Sequence, residues 1–261
     1  MTPQEELRKR EGDRVQLRSE AEAPWRALRL VFYGFSVASA GVASLISVPQ
    51  LIGATAGVPG ALAVESVIQN IGINLGAVTV FGLLFRQDWL AREKQLDRLR
   101  REDALAGLPI ALGNGKRLRL GALQGSSRVV VVAGTPQQVA DALAAAEPHR
   151  EALQRRGVFV VPLPVFGDQA GAPPLSPPGP DELRWRAAAL QPDAWRGWFA
   201  EQLEGKAATP DRGLFVGLRL DGRVRSSGMG PPPWARYAVE LAPLEGEDKW
   251  TGFFDGFDGK V

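Results

Sequence analysis

The sequence predicts a two-helix transmembrane hairpin followed by an α/β domain without cysteines. Three observations carry this prediction. Two apolar stretches nearly free of charge lie between Leu30 and Phe85, strand and helix patterns alternate from Asn114 onward, and cysteine is absent from all 261 residues. The hydrophobic fraction of 45% is ordinary for a soluble protein and hides the uneven placement of the apolar residues.

Leu30 to Ile52 reads LVFYGFSVASAGVASLISVPQLI, matching the roughly 20 apolar residues an α-helix needs to cross the hydrocarbon core. A Gly/Ala/Pro-rich link follows, and Val67 to Phe85 supplies a second span, ended by Arg86-Gln87-Asp88. So short a link makes the two helices an antiparallel hairpin (30–85) with both flanks on one side. Arg18, Arg26 and Arg29 precede the first span, and Arg86, Arg92, Lys94, Arg98, Arg100 and Arg101 follow the second, while the link has no Lys or Arg. The positive-inside bias therefore predicts both termini on the cytoplasmic, or stromal, side. Trp25, Tyr33 and Trp89 sit near the boundaries, where amphipathic rings are favoured. The leader, residues 1–29, is too charged for a signal peptide and, with Glu5, Glu6, Glu11, Asp13, Glu20 and Glu22, too acidic for a transit peptide.

Within the second span, Gly72 and Gly76 stand in GxxxG spacing beside Gln69, Asn70 and Asn74. Small residues let backbones approach, and amides hydrogen-bond across helices for about 1 kcal/mol or less each. This is a contact face, either for a Ser36, Ala40 and Ser44 row on the first span or for a foreign helix. No ionisable residue lies deep in either span, which argues against a pore or proton path. Residues 86–112 read as a charged helical connector with Asp88/Arg92 and Asp97/Arg101 at i,i+4. It is either a solvated extension of the second helix or a surface lying along anionic lipids.

The soluble domain is placed at 113–243. Arg128 to Ala133, RVVVVA, is a buried strand; Gly134 breaks it, with Thr135 as N-cap and Pro136 opening a helix. That helix runs through Val139, Leu143 and Leu153, with Pro148 as an interruption, and ends at Gly157. Val158 to Leu163 is the next strand, reached by a right-handed crossover. Gly171 to Pro180 is an exposed loop because of its prolines. Asp193 to Leu203 is a helix bearing Trp195, Trp198 and Phe199. Leu214 to Leu220 and Arg223 to Ser226 flank the hairpin dipeptide Asp221-Gly222, and a last helix spans Trp234 to Leu241.

Chemistry is bounded by what the composition omits. A net charge of +2 gives no reason to expect nucleic acid. Without cysteine there is no disulfide, thiolate nucleophile or Cys-type metal site, and one histidine, His149, excludes a multi-histidine centre. Gly113, Gly115 and Gly121 lack phosphate-loop spacing, and Asp181, Glu182, Asp193 and Asp211 read as solvated acids. No catalytic, cofactor or metal residue is assigned. Ser226 to Trp234, SSGMGPPPW, is either a recognition loop that offers Met229 and Trp234 to a partner or a stretch whose Trp234 packs into the domain, and the tail 244–261 poses the same choice. There Trp250, Phe253, Phe254 and Phe257 either cover the domain or meet a partner.

The order of strand, helix, strand, helix, hairpin and helix resembles a thioredoxin-like domain. NGKRLRLGALQGSSRVVVVAG (Asn114 to Gly134) is similar to the opening of a peroxiredoxin. Where such an enzyme carries its cysteine, this chain has Gly134-Thr135-Pro136-Gln137-Gln138, so the resemblance implies the scaffold without the redox chemistry. Several further segments occur in the same order as in the low photosystem II accumulation family. They are RLVFYGFSVASAGVASLISVPQLIG, INLGAV (Ile73 to Val78), AREKQL (Ala91 to Leu96), DRGLFVGLRLDGRVRSSG and GFFDGFDGKV. From about Arg14 onward the chain looks like that family in a form without its N-terminal tetratricopeptide repeats, as in a cyanobacterium. The resemblance implies an intrinsic thylakoid protein, not an enzyme. It would assist photosystem II assembly by contacting newly made reaction-centre subunits, with other assembly factors and membrane lipids as further partners. The rival readings are a membrane-tethered thioredoxin-family redox enzyme and a stoichiometric photosystem subunit.

Overall fold

The structure, a computed structural model, describes residues 13, 15–167, 175–204 and 210–246. It divides into two compact units, Met1–Arg100 and Arg101–Val261.

The first unit is built on α1 (Pro24–Thr55) and on α2 (Val64–Ala106), inside which the unit boundary falls. Both helices are long and apolar enough to cross a membrane. Pro24 opens α1 with its φ already helical. The hydroxyls of Ser36, Ser44, Ser47 and Thr79 each donate to the carbonyl one turn back, at 2.8 to 2.9 Å. They thereby satisfy themselves where lipid offers no partner. The link turns through Gly57 and Gly60, both at positive φ.

Burial along the two helices follows a heptad. On α1 the shielded positions include Tyr33, Val37, Ala40, Ser44, Ser47 and Leu51; on α2 they include Val67, Ile71, Asn74, Val78, Phe81 and Phe85. Steps of four and three residues on both helices are the signature of a two-stranded seam. Across it Phe32 meets Phe81 edge-on at 5.7 Å, and a side chain at Gly34 would touch the Phe85 ring at 3.7 Å. Beyond the apolar part the seam turns polar. Arg29 pairs with Asp88 at 3.0 Å, Arg26 donates to Gln95, and Glu22 pairs with Arg98 at 2.7 Å. Partners that descend on one helix as they rise on the other establish the antiparallel hairpin.

The stretch predicted as connector, 86–112, is helix only to Ala106; its last residues already form a strand. In the second unit β1 (Pro109–Leu112) pairs with β2 (Arg117–Arg119) about an Asn114-Gly115 turn. Gly115 takes φ +78, and the Lys116 amide donates to Asn114 Oδ1 at 3.0 Å. On the other side of β1 lies β5 (Ala187–Ala189).

The main sheet has the order β4-β3-β6-β7. In it β3 (Arg128–Gly134) and β4 (Val158–Pro164) are parallel, joined by α3 (Pro136–Ala146) and α4 (Arg150–Arg155). After α5 (Pro192–Leu203), β6 (Leu214–Leu218) runs antiparallel to β3. Then β7 (Val224–Met229) runs antiparallel to β6, and α6 (Trp234–Glu240) follows. A βαβ half and a ββα half sharing one mixed four-stranded sheet make this the expected thioredoxin-like α/β domain.

Because side chains alternate across a strand, β3 feeds two layers. Val129, Val131 and Ala133 join Trp195, Trp198 and Phe199 of α5 on one face. Val130 and Val132 join Ala142, Leu153, Trp234 and Tyr237 on the other.

Three polar details fix the edges of this core. Arg128, 1% exposed, donates to the carbonyls of Arg156 and Ala242, while Arg156 Nε donates to the Leu241 carbonyl at 2.8 Å. On β4 the Val160 amide points outward to the Trp185 carbonyl at 2.8 Å. Pro162 and Pro164, at the same parity, therefore present an edge with no N–H to donate. Finally, Glu182 accepts from Arg186 Nε at 2.7 Å and from the Gly179 amide at 3.1 Å, tying down the chain ahead of β5.

Desolvation by itself would raise the Glu182 carboxyl. The Arg186 hydrogen bond, the Gly179 amide and the charges of Arg186 and Arg150 outweigh it and hold the pKa below the usual value. A depressed carboxylate contributes stability above its unfolded pKa and loses it as pH falls through its folded pKa. Urea midpoints of the protein and of Glu182→Gln are accordingly expected to differ by a constant amount above about pH 5. They should converge under stronger acid; a gap independent of pH would show that Glu182 acts through shape alone.

Candidate interaction surfaces

On α2, Gln69, Gly72 and Gly76 fall on one stripe because helical neighbours are three and four residues apart. The seam with α1 is centred on Ile71, Asn74 and Val78, so the glycine stripe lies on the opposite side of the helix. Gln69, Gly72 and Gly76 are exposed, and a Cβ added at either glycine would meet nothing within 4 Å. Packing of this row on Ser36, Ala40 and Ser44 is therefore corrected. Ala40 and Ser44 do lie in the seam, but α2 offers them its larger residues, and the glycines face away.

The predicted amide cluster is divided by the same geometry. Asn74 is half-buried at the seam, Asn70 is exposed, and Gln69 borders the glycines with no hydrogen-bond partner among the described residues. In hydrocarbon an unbonded amide is costly, and a row of small residues is where a second helix backbone can come close.

At one end of the hairpin Trp89 stacks on Phe85 at 5.9 Å, donates to Glu93 at 2.9 Å and carries Arg92 over its ring at 5.6 Å. Trp25 is 72% exposed. This is the aromatic and basic belt suited to a membrane interface.

In the second unit, Ser226 to Met229 continues β7 and is not loop, so the predicted recognition loop shrinks to residues 230–233. Met229 is exposed on that edge strand. Trp234 is not: it is 3% exposed, its Nε1 donates to the Ala142 carbonyl at 2.9 Å, and its ring packs edge-on to Tyr237. As a partner anchor Trp234 is corrected to a core residue, because an indole that finds both an apolar layer and an acceptor inside the domain has nothing left to offer. The Tyr237 hydroxyl is pushed up by burial, against the opposing hydrogen bond with Ser226. Trp250, Phe253, Phe254 and Phe257 lie outside the described residues.

The position that corresponds to a thioredoxin-type catalytic loop is filled by a closed helix cap. Thr135 Oγ1 accepts from the Gln138 amide at 3.2 Å, and Gln138 Oε1 accepts from the Thr135 amide at 2.9 Å. Gln138 Nε2 donates to the Asp211 carbonyl at 2.6 Å. This capping box spends its polar groups on the backbone of α3. Among the described residues no group of three or more His, Asp or Glu could hold a metal ion.

Two features go beyond the expectations from sequence. Arg128, within an expected apolar strand, is a buried polar tie, and an arginine opening a run of valines is itself a signal of one. The other is the β1–β2 hairpin, whose signal is the Asn114-Gly115 dipeptide.

Residues 11–89 match the family model described as "Low psii accumulation1 / Rep27". Similar solved structures include a putative electron transfer protein from Aquifex aeolicus VF5. It is 13% identical, with 54% of this chain and 96% of that one covered and a TM-score of 0.34. Another is the reduced 2-Cys peroxiredoxin of Plasmodium vivax, 13% identical over 49% and 68% of the two chains, with a TM-score of 0.32. The bacterioferritin comigratory protein of Xanthomonas campestris is 16% identical over 52% and 86%, with a TM-score of 0.29. The strand order and helix placement, not these likenesses, carry the fold.

Proposed function

We propose that this chain, whose residues 11–89 belong to the low photosystem II accumulation family, is a thylakoid membrane factor that holds newly made photosystem II reaction-centre subunits during assembly. The family's name ties it to photosystem II accumulation, and two helices are long and apolar enough to span. The contact with a client helix rests on one observation, the outward Gln69-Gly72-Gly76 stripe, left uncovered by α1 and edged by an unbonded amide. A client helix would bring a backbone against the glycines and an acceptor or donor to Gln69.

The remaining parts of the reading follow from charge and chemistry. A link without Lys or Arg and a basic belt at the opposite end of the hairpin favour both termini on the stromal or cytoplasmic face. Holding is favoured over thiol redox chemistry because the chain has no thiol and the helix terminus where a thioredoxin-type enzyme works is closed by Thr135 and Gln138.

A photo-crosslinking amino acid placed at Gln69 in cells synthesising photosystem II is expected to capture a reaction-centre subunit. The same probe at Val78, inside the seam, should mark only the chain itself. Labelling of lipid and self alone from position 69 would remove the client from this face.

A further inference from the structure

Arg117 and Arg119 occupy alternate positions on β2, so their side chains share one exposed face. They line an open cleft of about 450 Å³ together with Pro109, Leu118, Leu190 and Gln191. No carboxylate lines it. Neither guanidinium has an ion pair or hydrogen bond among the described residues, and Lys116 beside them is exposed too. Gln191 is the one described non-glycine residue at positive φ, 54°.

The backbone of β2 is also unfinished. It lies at the edge of the sheet β2-β1-β5. The Leu112 amide donates to the Lys116 carbonyl at 2.9 Å, and the Leu120 amide donates to the Leu108 carbonyl at 2.9 Å. In an antiparallel ladder peptide groups alternate in direction, so those of Lys116, Leu118 and Leu120 face β1. The N–H and C=O of Arg117 and Arg119 face outward. Here the edge is open, whereas that of β4 is blocked by Pro162 and Pro164.

We propose that the open edge of β2 receives an acidic, extended segment of a partner protein, added as a strand along β2 with alternate carboxylates on Arg117 and Arg119. The match is one of spacing as well as charge. Every second side chain of an added strand recurs at about 7 Å on one face, the repeat that separates the two arginines, and each guanidinium can take a carboxylate in bidentate fashion. A phosphate or lipid headgroup would satisfy the charges but leave the outward peptide groups unused. The site goes beyond the membrane contact proposed above and uses none of its residues.

The test uses the full chain in zwitterionic nanodiscs and a fluorescent peptide alternating glutamate with threonine and valine, read by anisotropy. Saturable binding is expected. It should weaken more than tenfold in Arg117→Ala/Arg119→Ala, whose circular dichroism melt should match that of the parent. A similar loss is expected when alternate peptide bonds of the ligand are N-methylated, and partial retention in Arg117→Lys/Arg119→Lys. Equal affinity in the alanine variant would overturn the site, and indifference to N-methylation would overturn strand addition. Displacement of the peptide by millimolar inorganic phosphate or by anionic vesicles would assign the arginines to a phosphate group and also overturn the proposal. Failure at position 69 with success here, or the reverse, separates this site from the membrane one.

Discussion

Replacing Gly72 and Gly76 together by leucine is expected to cut capture of reaction-centre subunits by about tenfold while leaving the hairpin assembled. The expectation follows from where the glycines point. A Cβ at either position meets nothing within 4 Å inside the chain, so larger side chains fit without disturbing α1 or α2. A helix arriving from outside, however, would be held off its close approach and lose packing and hydrogen-bond energy of about 1 to 2 kcal/mol. A loss of about 1.4 kcal/mol is a factor of ten in affinity. The measurement is crosslink yield from Gln69 alongside photosystem II content, with protease protection of the hairpin as the control. Undiminished yield in a correctly inserted variant would show that the stripe does not touch the client.

Trp234→Ala should have the largest effect on stability, about 3 to 5 kcal/mol, the range for emptying a buried tryptophan site. Its ring sits between Ala142 and Tyr237, and its N–H has an acceptor inside the domain. Trp234→Phe keeps most of the volume and gives up one hydrogen bond, for about 1 kcal/mol. Urea unfolding of the full chain in detergent, followed by near-ultraviolet circular dichroism, distinguishes these outcomes. Were Trp234 a surface anchor, alanine would leave the midpoint within the roughly 0.5 kcal/mol typical of exposed sites and weaken partner capture instead.

Much of the architecture was legible because the signals were periodic or chemically strict. Charge-free runs announced the two long helices, and RVVVVA and VFVVPL announced parallel neighbours. Thr135-Pro136 fixed a helix start to the residue, and Asp221-Gly222 located a hairpin. What escaped had no such signal or a competing one. Ala187–Ala189 contains nothing β-branched and becomes a strand only because β1 pairs with it. The charged run after Phe85 masked the point where helix gives way to strand at Pro109.

The contact surfaces were harder to read than the fold, since sequence tells which residues share a helix face but not what covers it. The Gly72/Gly76 row was visible as a row, yet only the heptad seam shows that α1 lies on the other side. With Trp234 the composition of SSGMGPPPW left a display loop and a core residue equally open, and what decides is Ala142, far off in the chain, whose carbonyl accepts the indole N–H inside the core layer.

The tie between Arg128 and the carbonyl of Ala242 has a consequence for where this polypeptide tolerates an end. A guanidinium sealed inside a protein cannot turn to water for replacement acceptors, and leaving such a group unmet is costly. Removing residues 241 and 242 would therefore injure the domain from within, although they belong to no helix or strand. Shortening that begins after Glu245, past the amides that rest on the Arg155 carbonyl, would leave this tie in place. The anchoring of this domain thus reaches past its last helix.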